Sequence, residues 1–236
     1  MKFPTPLISG RLVKRYKRFL ADVQLDDGAI VTAHTPNTGS MKTCSEPGCR
    51  VWLSPADKPG RKLKFTWELS SDDETIVGVH TGHPNRLVEE AIGDGYVPSL
   101  SGYDDIRREV KYGERSRIDL LLTRGEERCY VEVKNVTLCE DRIAWFPDAV
   151  TARGRKHLIE MTAMVAQGHR AAMAYVVQRM DGDIVQPAAH IDPAYAKALA
   201  EAMDAGVEAV GLRFDPTPQA ITFDALIPVE LPDKSG

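Results

Sequence analysis

The chain has 236 residues, of which 43% are hydrophobic and 27% are charged, and its net charge is −4. A chain of this length forms one large domain or two modest ones, and no apolar run approaches the ~20 residues that a membrane helix needs. The N-terminal segment also lacks the continuous apolar run of a signal peptide, so we expect a cytoplasmic protein that does not bind membranes.

The charge is unevenly distributed along the chain. The first 80 residues carry a net charge of +3 and the remainder carries −7, which leaves room for a local basic patch in an acidic protein. The four cysteines suit a reducing compartment. Cys44 and Cys49 could form half of a zinc site, but no second close pair of cysteines accompanies them.

Residues 1–82 are predicted to form a small OB-like β-barrel. Short apolar segments follow one another there, turn signals separate them, and no helix-length apolar period is present. Five strands at this spacing suit such a barrel. The predicted strand segments are LVKRYKRFLADVQL, AIVTAHT, CRVWLS, KLKFTWELS and TIVGVHT.

Within the same region, 36-PNTGSM is predicted to be a tight turn, because asparagine and glycine tolerate unusual backbone angles. The sequence leaves open whether this loop lies near a ligand or at a domain interface.

Residues 83–236 are predicted to form an α/β domain with a mixed central sheet, because helical segments alternate with apolar strands. Each expected helix carries a start signal and a stop signal. The first would be capped by Asn85 and end at residues 93–95, the second would have Asp148 as its cap and stop at Gly168, and the third would begin at Asp192 and end at Gly206.

The segment 117-RIDLLLTRGEERCYVEVKN-135 contains two apolar runs around a turn. A two-residue loop with Gly125 in its first position would place Asp119 opposite Glu132, with Lys134 on the same face. A loop of odd length without a bulge would instead place the two carboxylates on opposite faces of the hairpin. Paired carboxylates repel each other, and a divalent cation would relieve that repulsion.

Such a cation could activate a water molecule and neutralise charge on a phosphate. Lys134 could then orient the water or stabilise the charged transition state. The simpler interpretation of Glu-x-Lys is a solvent-exposed strand edge. Asp119 favours the functional interpretation, because an isolated charge among leucines is costly to bury.

The order of a helix carboxylate, an aspartate, Glu-x-Lys on the adjacent strand, a helix and a further strand resembles the core of the PD-(D/E)xK nucleases. Longer segments, which together cover nearly the whole chain, resemble the sugar fermentation stimulation protein A (SfsA) family. These segments are PNTGSM, RKLKFTWEL, NRLVEEAI, LSGYDDIRREVKYGERSRIDLLL, CYVEVKNVTL, FPDAVTARGRKHL and AAHID.

The resemblance implies a DNA-binding protein with an N-terminal OB-like domain and a C-terminal nuclease-like domain, linked to the regulation of sugar metabolism, especially of maltose. The residues that match the nuclease motif are Asp119, Glu132 and Lys134, and the first two would bind Mg²⁺ or Mn²⁺. Glu90 matches the carboxylate of the helix, and Glu89 is the alternative.

Three basic clusters are candidate nucleic-acid contacts, since cations bind phosphates and aromatic rings stack on bases. In each, the alternative is a solvated basic surface with the rings packed inward. The clusters are Lys14, Arg15, Tyr16, Lys17 and Arg18, then Arg61, Lys62 and Lys64, and finally Arg153, Lys156 and His157.

The two functions that the sequence supports are a metal-dependent DNA nuclease and a DNA-binding regulator without catalytic turnover. RNA remains open as a substrate, as does the oligomeric state. No Walker loop or Rossmann glycine signature is present, so we expect no nucleotide cofactor. Most of the other histidines, including His80 and His83, lack a usual metal-ligand spacing and are expected to be structural or exposed.

Overall fold

A computed structural model describes residues 1–56, 60–72, 74–113 and 116–232. An N-terminal β-barrel precedes an α/β domain, as the sequence predicts. The strands of the first region are β1 (Ile8–Tyr16), β2 (Leu20–Leu25), β3 (Ile30–His34), β4 (Arg50–Pro55), β5 (Phe65–Ser71) and β6 (Ile76–Gly78).

Five of these strands close the barrel. The antiparallel order β3-β2-β1-β4-β5 returns to its start through a short parallel pairing of β3 with β5, and β6 adds to β5 outside the ring. The first predicted segment is in fact two strands, because the chain turns at Lys17 and Arg18, both of which have positive φ. Trp67 is fully buried in the barrel core.

The second region contains a six-stranded mixed sheet in the order β15-β14-β12-β9-β8-β7 and a three-stranded sheet in the order β10-β11-β13. Its strands are β7 (Asp105–Tyr112), β8 (Ser116–Arg124), β9 (Glu127–Val136), β10 (Leu138–Glu140), β11 (Ile143–Phe146), β12 (Arg170–Val177), β13 (Ile184–Pro187), β14 (Glu208–Pro216) and β15 (Ile221–Ile227). Its helices are α1 (Pro84–Gly93), α2 (Ala152–Ala166) and α3 (Pro193–Asp204).

Apolar cores lie on both faces of the six-stranded sheet. Helix α1 packs on one face, against the side chains of Leu120 and Val131, while α2 and α3 pack on the other, against Leu121 and Tyr130. The period-two alternation of these side chains explains the division. None of the described helices is long and apolar enough to cross a membrane.

Two of the predicted helix caps are wrong. Helix α1 begins one residue before Asn85, with His83 at its N-cap. Helix α2 begins after Thr151, whose hydroxyl accepts a hydrogen bond from the backbone of Gly154 at 3.0 Å. In α3 the predicted cap is confirmed, because Asp192 accepts from the backbone of Tyr195 at 2.9 Å.

Asp148 is occupied elsewhere, by the loop of residues 36–41. The backbone amide and the hydroxyl of Ser40 donate to Asp148 Oδ2 at 2.8 and 3.0 Å. Arg15 holds the same loop from the barrel side by donating to the carbonyl oxygens of Asn37 and Gly39, both at 2.9 Å. The loop therefore lies at the interface between the barrel and the α/β domain, one of the two locations that the sequence left open.

Asp148→Ala should lower the free energy of unfolding by about 2 kcal/mol, because hydrogen bonds to a charged acceptor contribute roughly 1.5–3 kcal/mol. Chemical denaturation measures this change. Asp204→Ala is a suitable control, since that carboxylate is exposed at the end of α3. Equal stability of the two variants would contradict a role for Asp148 in holding the loop.

Candidate functional site

The hairpin of β8 and β9 has the predicted two-residue turn. Gly125 has φ of +57°, and the ladder runs from the pair Arg124–Glu127 to the pair Leu120–Val131. Continued by one residue, this register places Asp119 level with Glu132. The described ladder ends before that pair, and the Asp119 carboxylate accepts the backbone N–H of Val133 at 2.8 Å.

The sheet is also irregular on the other side of Asp119. In the β7–β8 ladder, Arg108 pairs with Leu120 and Val110 pairs with Ile118, which places Glu109 level with Asp119. Glu109 has φ of +54°, in the left-handed region, a conformation that costs a side chain of this type roughly 1–3 kcal/mol. Three carboxylates therefore stand at one level across three adjacent strands.

Asp119 is held by two elements. The side-chain amide of Asn85, in the first turn of α1, donates to Asp119 Oδ1 at 3.1 Å, while the backbone of β9 donates to Oδ2. Burial raises the pKa of Asp119, and the negative charge of Glu132 raises it further, against the smaller effect of these hydrogen bonds. The carboxylate is thus fixed in position but electrostatically unfavourable.

Glu132 is 2% exposed and lies beside two donors. Lys134 Nζ is 2.5 Å from Glu132 Oε1, and His157 Nδ1 contacts the same oxygen. Burial opposes ionisation, but the hydrogen bond from His157 and the charge of Lys134 outweigh it, so the pKa of Glu132 is lowered. Its second oxygen, Oε2, is buried and accepts no hydrogen bond from any residue that the structure describes.

His157 lies in α2, whose start at Ala152 directs this imidazole toward the sheet. The ring is 4% exposed, and its Nε2 is 3.3 Å from Arg153 Nε. Both nitrogens therefore have protein partners. His157 thus orients Glu132 while its ring also borders the adjoining cleft, and its direct contact with phosphate stays a prediction.

A cleft of about 410 Å³ opens next to this buried cluster. Three cations line it, Arg117 of β8 and Arg153 and Lys156 of α2, and all three are exposed. Glu109 also faces the cleft. An anion such as a phosphodiester would find several donors here, and His157, which also lines the cleft, connects it to Glu132.

The structure does not bring Glu90 to the cluster. Its carboxylate lies 3.0 Å from the N-terminal ammonium group and 2.7 Å from Arg86 Nε. Glu89 forms an ion pair with Arg108 of β7. Asn85 and Glu89, four residues apart, share one face of α1. Glu89 lies one turn further along the helix beside β7, and the side chain that reaches Asp119 is Asn85, which the sequence suggested only as a cap.

The basic residues of the barrel are only partly available for ligands. The guanidinium groups of Arg15 and Arg18 donate to backbone carbonyl oxygens of the 36–41 loop. Arg61 donates to Thr66 Oγ1 at 2.9 Å. Tyr16 donates to Asp22, which also lies 3.5 Å from Lys14 Nζ. The exposed cations of these clusters are Lys14, Lys17, Arg18, Lys62 and Lys64.

Comparison with known proteins yields consistent matches over the whole chain. The family model described as "Sugar fermentation stimulation protein RE domain" matches residues 82–220, and the "SfsA N-terminal OB domain" matches residues 13–79. A sugar fermentation stimulation protein homolog of Geobacter metallireducens is 58% identical over 98% of this chain and 100% of its own length. The homolog from Geotalea uraniireducens is 53% identical, again over 98% of this chain and 100% of its own length.

Among solved structures, that of Pyrococcus furiosus SfsA in complex with Ca²⁺ superposes with a TM-score of 0.88 at 28% sequence identity, covering 98% of both chains.

Asp119→Asn should raise Tm at neutral pH in metal-free buffer. The folded-state pKa of Asp119 lies above the unfolded value, so its contribution to stability is complete below the unfolded pKa and is lost as pH rises through the folded pKa. The asparagine side chain is neutral at every pH, so the variant does not lose this stability. Each kcal/mol regained raises Tm by roughly 2–4 °C in a chain of this size.

Thermal melts in EDTA from neutral pH down to the usual aspartate pKa of 3.8 measure this effect. The difference in Tm between Asp119→Asn and the parent protein should shrink as pH falls. Asp204→Asn, at an exposed position, should show no such pH-dependent gap. A lower Tm for Asp119→Asn at neutral pH would contradict the repulsion argument.

Proposed function

The chain belongs to the SfsA family, with an N-terminal OB domain and a C-terminal restriction-endonuclease-like domain, and we propose from this membership and from the site that it is a divalent-metal-dependent DNA phosphodiesterase. The observation that carries the proposal is the buried oxygen Oε2 of Glu132, which no described residue satisfies, beside the repelled carboxylate of Asp119. We place the division between the two domains near residue 82.

The donor set fits a hard cation. Asp119 and Glu132 supply carboxylate oxygens, the ligand type that Mg²⁺ and Mn²⁺ take from proteins while keeping water or phosphate oxygens as their remaining ligands. The relative from Pyrococcus furiosus is described in complex with Ca²⁺, another cation that binds oxygen ligands. This supports a cation site in the family without identifying the cation that this chain uses.

When bound, such a cation supplies charge neutralisation at the phosphate and lowers the pKa of a coordinated water. The protein contributes positioning. Asn85 and the backbone of Val133 orient Asp119, and His157 orients Glu132. Lys134, whose ammonium group lies beside the Glu132 carboxylate, would orient the attacking water or stabilise negative charge on the phosphate.

The cations of the cleft would hold the nucleic-acid backbone. Arg117, Arg153 and Lys156 line the cleft together with His157, the partner of Glu132, and the lysines of the barrel add exposed positive charge in the other domain. In a chain with a net charge of −4, phosphates would be attracted to these local patches rather than to the whole surface. We propose DNA as the substrate, with RNA as a competitor to be tested.

The second candidate is a DNA-binding regulator that retains the nuclease-like fold without turnover. The close contact of Lys134 with Glu132 favours it, because this pair satisfies one carboxylate oxygen without any metal. The name of the relatives, which refers to stimulation of sugar fermentation, is compatible with both candidates.

Asp119→Asn, Glu132→Gln and Lys134→Met should each lower Mn²⁺-dependent DNA cleavage by about 10³-fold or more, because several kcal/mol of transition-state stabilisation are lost. Cleavage of single-stranded, double-stranded and branched DNA would be measured, with binding followed separately. The matched control is Glu90→Gln, an acid of similar type whose partners in the structure are Arg86 and the N-terminus.

If the parent protein cuts none of these substrates with Mg²⁺ or Mn²⁺, the catalytic proposal fails and the regulator remains. If Glu90→Gln is as inactive as Glu132→Gln, the assignment of the site is wrong.

Replacing Arg117, Arg153 and Lys156 together by alanine should weaken DNA binding and reduce the slope of log K against log salt concentration by about 2–3, near one for each phosphate that the protein no longer neutralises. Fluorescence anisotropy over a salt series measures the slope. A control that replaces Lys197, an exposed residue of α3, should leave it unchanged. If the slope for the triple variant is unaltered, the DNA phosphates do not bind at these three residues.

A further inference from the structure

A second group of possible metal ligands lies at the junction of the two domains, on residues outside the carboxylate site. Glu68 comes from β5 of the barrel, while His80 and His83 come from the segment that leads into α1. One ligand atom from each of these three side chains lies within 4.8 Å of the other two. No separate motif in the sequence predicted this group.

Backbone contacts position the three side chains. The N–H of Val79 donates to the carbonyl oxygen of Glu68 at 3.0 Å, which fixes the segment after β6 against β5. The N–H of His83 then donates to the carbonyl oxygen of His80 at 3.3 Å and closes a turn. A Cβ on Gly82 would lie 2.8 Å from His80 Cε1, so glycine is what allows the ring of His80 to fold over this turn.

The two rings and the carboxylate are in direct contact. His83 Nε2 lies 2.7 Å from Glu68 Oε2, and the rings of His80 and His83 stack with their centroids 4.1 Å apart. Ser54 donates to the other oxygen, Glu68 Oε1, at 2.6 Å. Such a contact to a coordinating carboxylate is the usual support for a metal ligand.

The local charge favours a cation. Glu68 is 5% exposed, and its hydrogen-bond and ion-pair partners in the described part of the chain are a serine and a histidine, not a lysine or an arginine. An ionised carboxylate and a neutral imidazole are the forms that bind metal.

We propose that Glu68, His80 and His83 bind one divalent cation of the Zn²⁺ class, with water in the remaining coordination position. Two imidazoles and a carboxylate suit zinc and its neighbours in the transition series, whereas the Asp119 and Glu132 pair offers oxygen alone and suits harder cations. The metal would join β5 of the barrel to the first turn of α1, the helix that supplies Asn85 to the carboxylate site.

Coordination requires local rearrangement at both histidines. The stacked rings must turn so that each directs a nitrogen at the same point, and His83 gives up its contact with Glu68 Oε2 if it binds through Nε2, with its proton then on Nδ1. His80 Nδ1 accepts the N–H of Gly82 at 3.0 Å, which leaves the proton of the neutral ring on Nε2. Binding through Nε2 moves that proton to Nδ1 and breaks the hydrogen bond with Gly82. The loss of the hydrogen bonds of His80 with Gly82 and of His83 with Glu68 is small beside the free energy of zinc binding. The competing interpretation, a simple hydrogen bond of His83 with Glu68 across the junction, involves no metal at all.

Titration with ZnCl₂ separates the two interpretations. The full chain, free of any polyhistidine tag and stripped with EDTA, would be studied by calorimetry and by thermal melting. We expect one zinc ion per chain and a Tm that rises with zinc concentration, because a ligand that binds only the folded state stabilises it. The same result is expected for Asp119→Asn/Glu132→Gln, which removes the two carboxylates of the other site.

Variants at the junction test the ligands. His80→Phe keeps the stacked ring, and His83→Gln keeps a donor for Glu68, so each should fold while losing a ligand. Each should weaken zinc binding by more than the roughly 10- to 100-fold typical of an outer-sphere partner. His190→Gln, at an exposed histidine that packs against Trp145, is the matched control and should bind zinc as the parent does.

Thermal melting in EDTA shows whether each variant folds. If one variant does not fold, the zinc affinity of the other variant tests the proposal. Unchanged zinc affinity in the folded variants would overturn the proposal. So would the absence of zinc binding by the parent chain, or binding that disappears only in Asp119→Asn/Glu132→Gln.

Discussion

The burial of two like charges in one sheet is the constraint on which the α/β domain depends. Asp119 and Glu132 stand level on neighbouring strands, and such a pair would destabilise the sheet if nothing opposed it. Each carboxylate is compensated by other elements, Asp119 by α1 and the backbone of β9, and Glu132 by Lys134 and by His157 of α2. The helices on both faces are therefore tied to the sheet by polar contacts as well as by their apolar cores.

The site is formed at the expense of a regular sheet. Neither Glu109 nor Glu132 forms a ladder pair with Asp119 in the described structure, and Glu109 takes a left-handed conformation that its side chain disfavours. The carboxylate of Asp119 accepts the N–H of Val133, which satisfies a backbone donor where the ladder stops. In a continuous ladder, a backbone carbonyl oxygen of β8 would accept this N–H and no carboxylate would be needed. The end of the ladder and the position of the Asp119 carboxylate are therefore parts of the same arrangement.

The sequence predicts the parts of this structure that depend on local periodicity and turn chemistry. Gly125 sets the hairpin turn, and the alternation of side chains then separates Leu120 and Val131, which pack on α1, from Glu132 and Lys134 on the other face. The same kind of local signal predicts the barrel strands and the cap at Asp192.

What the sequence does not predict depends on tertiary contacts. Asp148 and Thr151 are both good cap residues, but Asp148 is engaged by Ser40, 108 residues away in sequence, and the backbone N–H of Thr151 donates to Asp192, so Thr151 is the cap. Which side chain of α1 reaches Asp119 depends on how the helix is rotated, which turns Glu90 away, and on its position along the sheet, which places Asn85 rather than Glu89 at Asp119. Residue types alone fix neither. The left-handed conformation of Glu109 has no signal in its residue type, since glycine or asparagine would be expected there.

Helix α1 gives the barrel a physical route to the carboxylate site. His83 contacts Glu68 of the barrel at the N-cap of this helix, and Asn85, two residues later, contacts Asp119. The two contacts are one helical turn or less apart, so a displacement of the barrel at His83 would shift Asn85 unless the backbone between them deformed. A nucleic acid that touches both the barrel and the cleft would therefore act on a carboxylate whose position depends on how the barrel is seated.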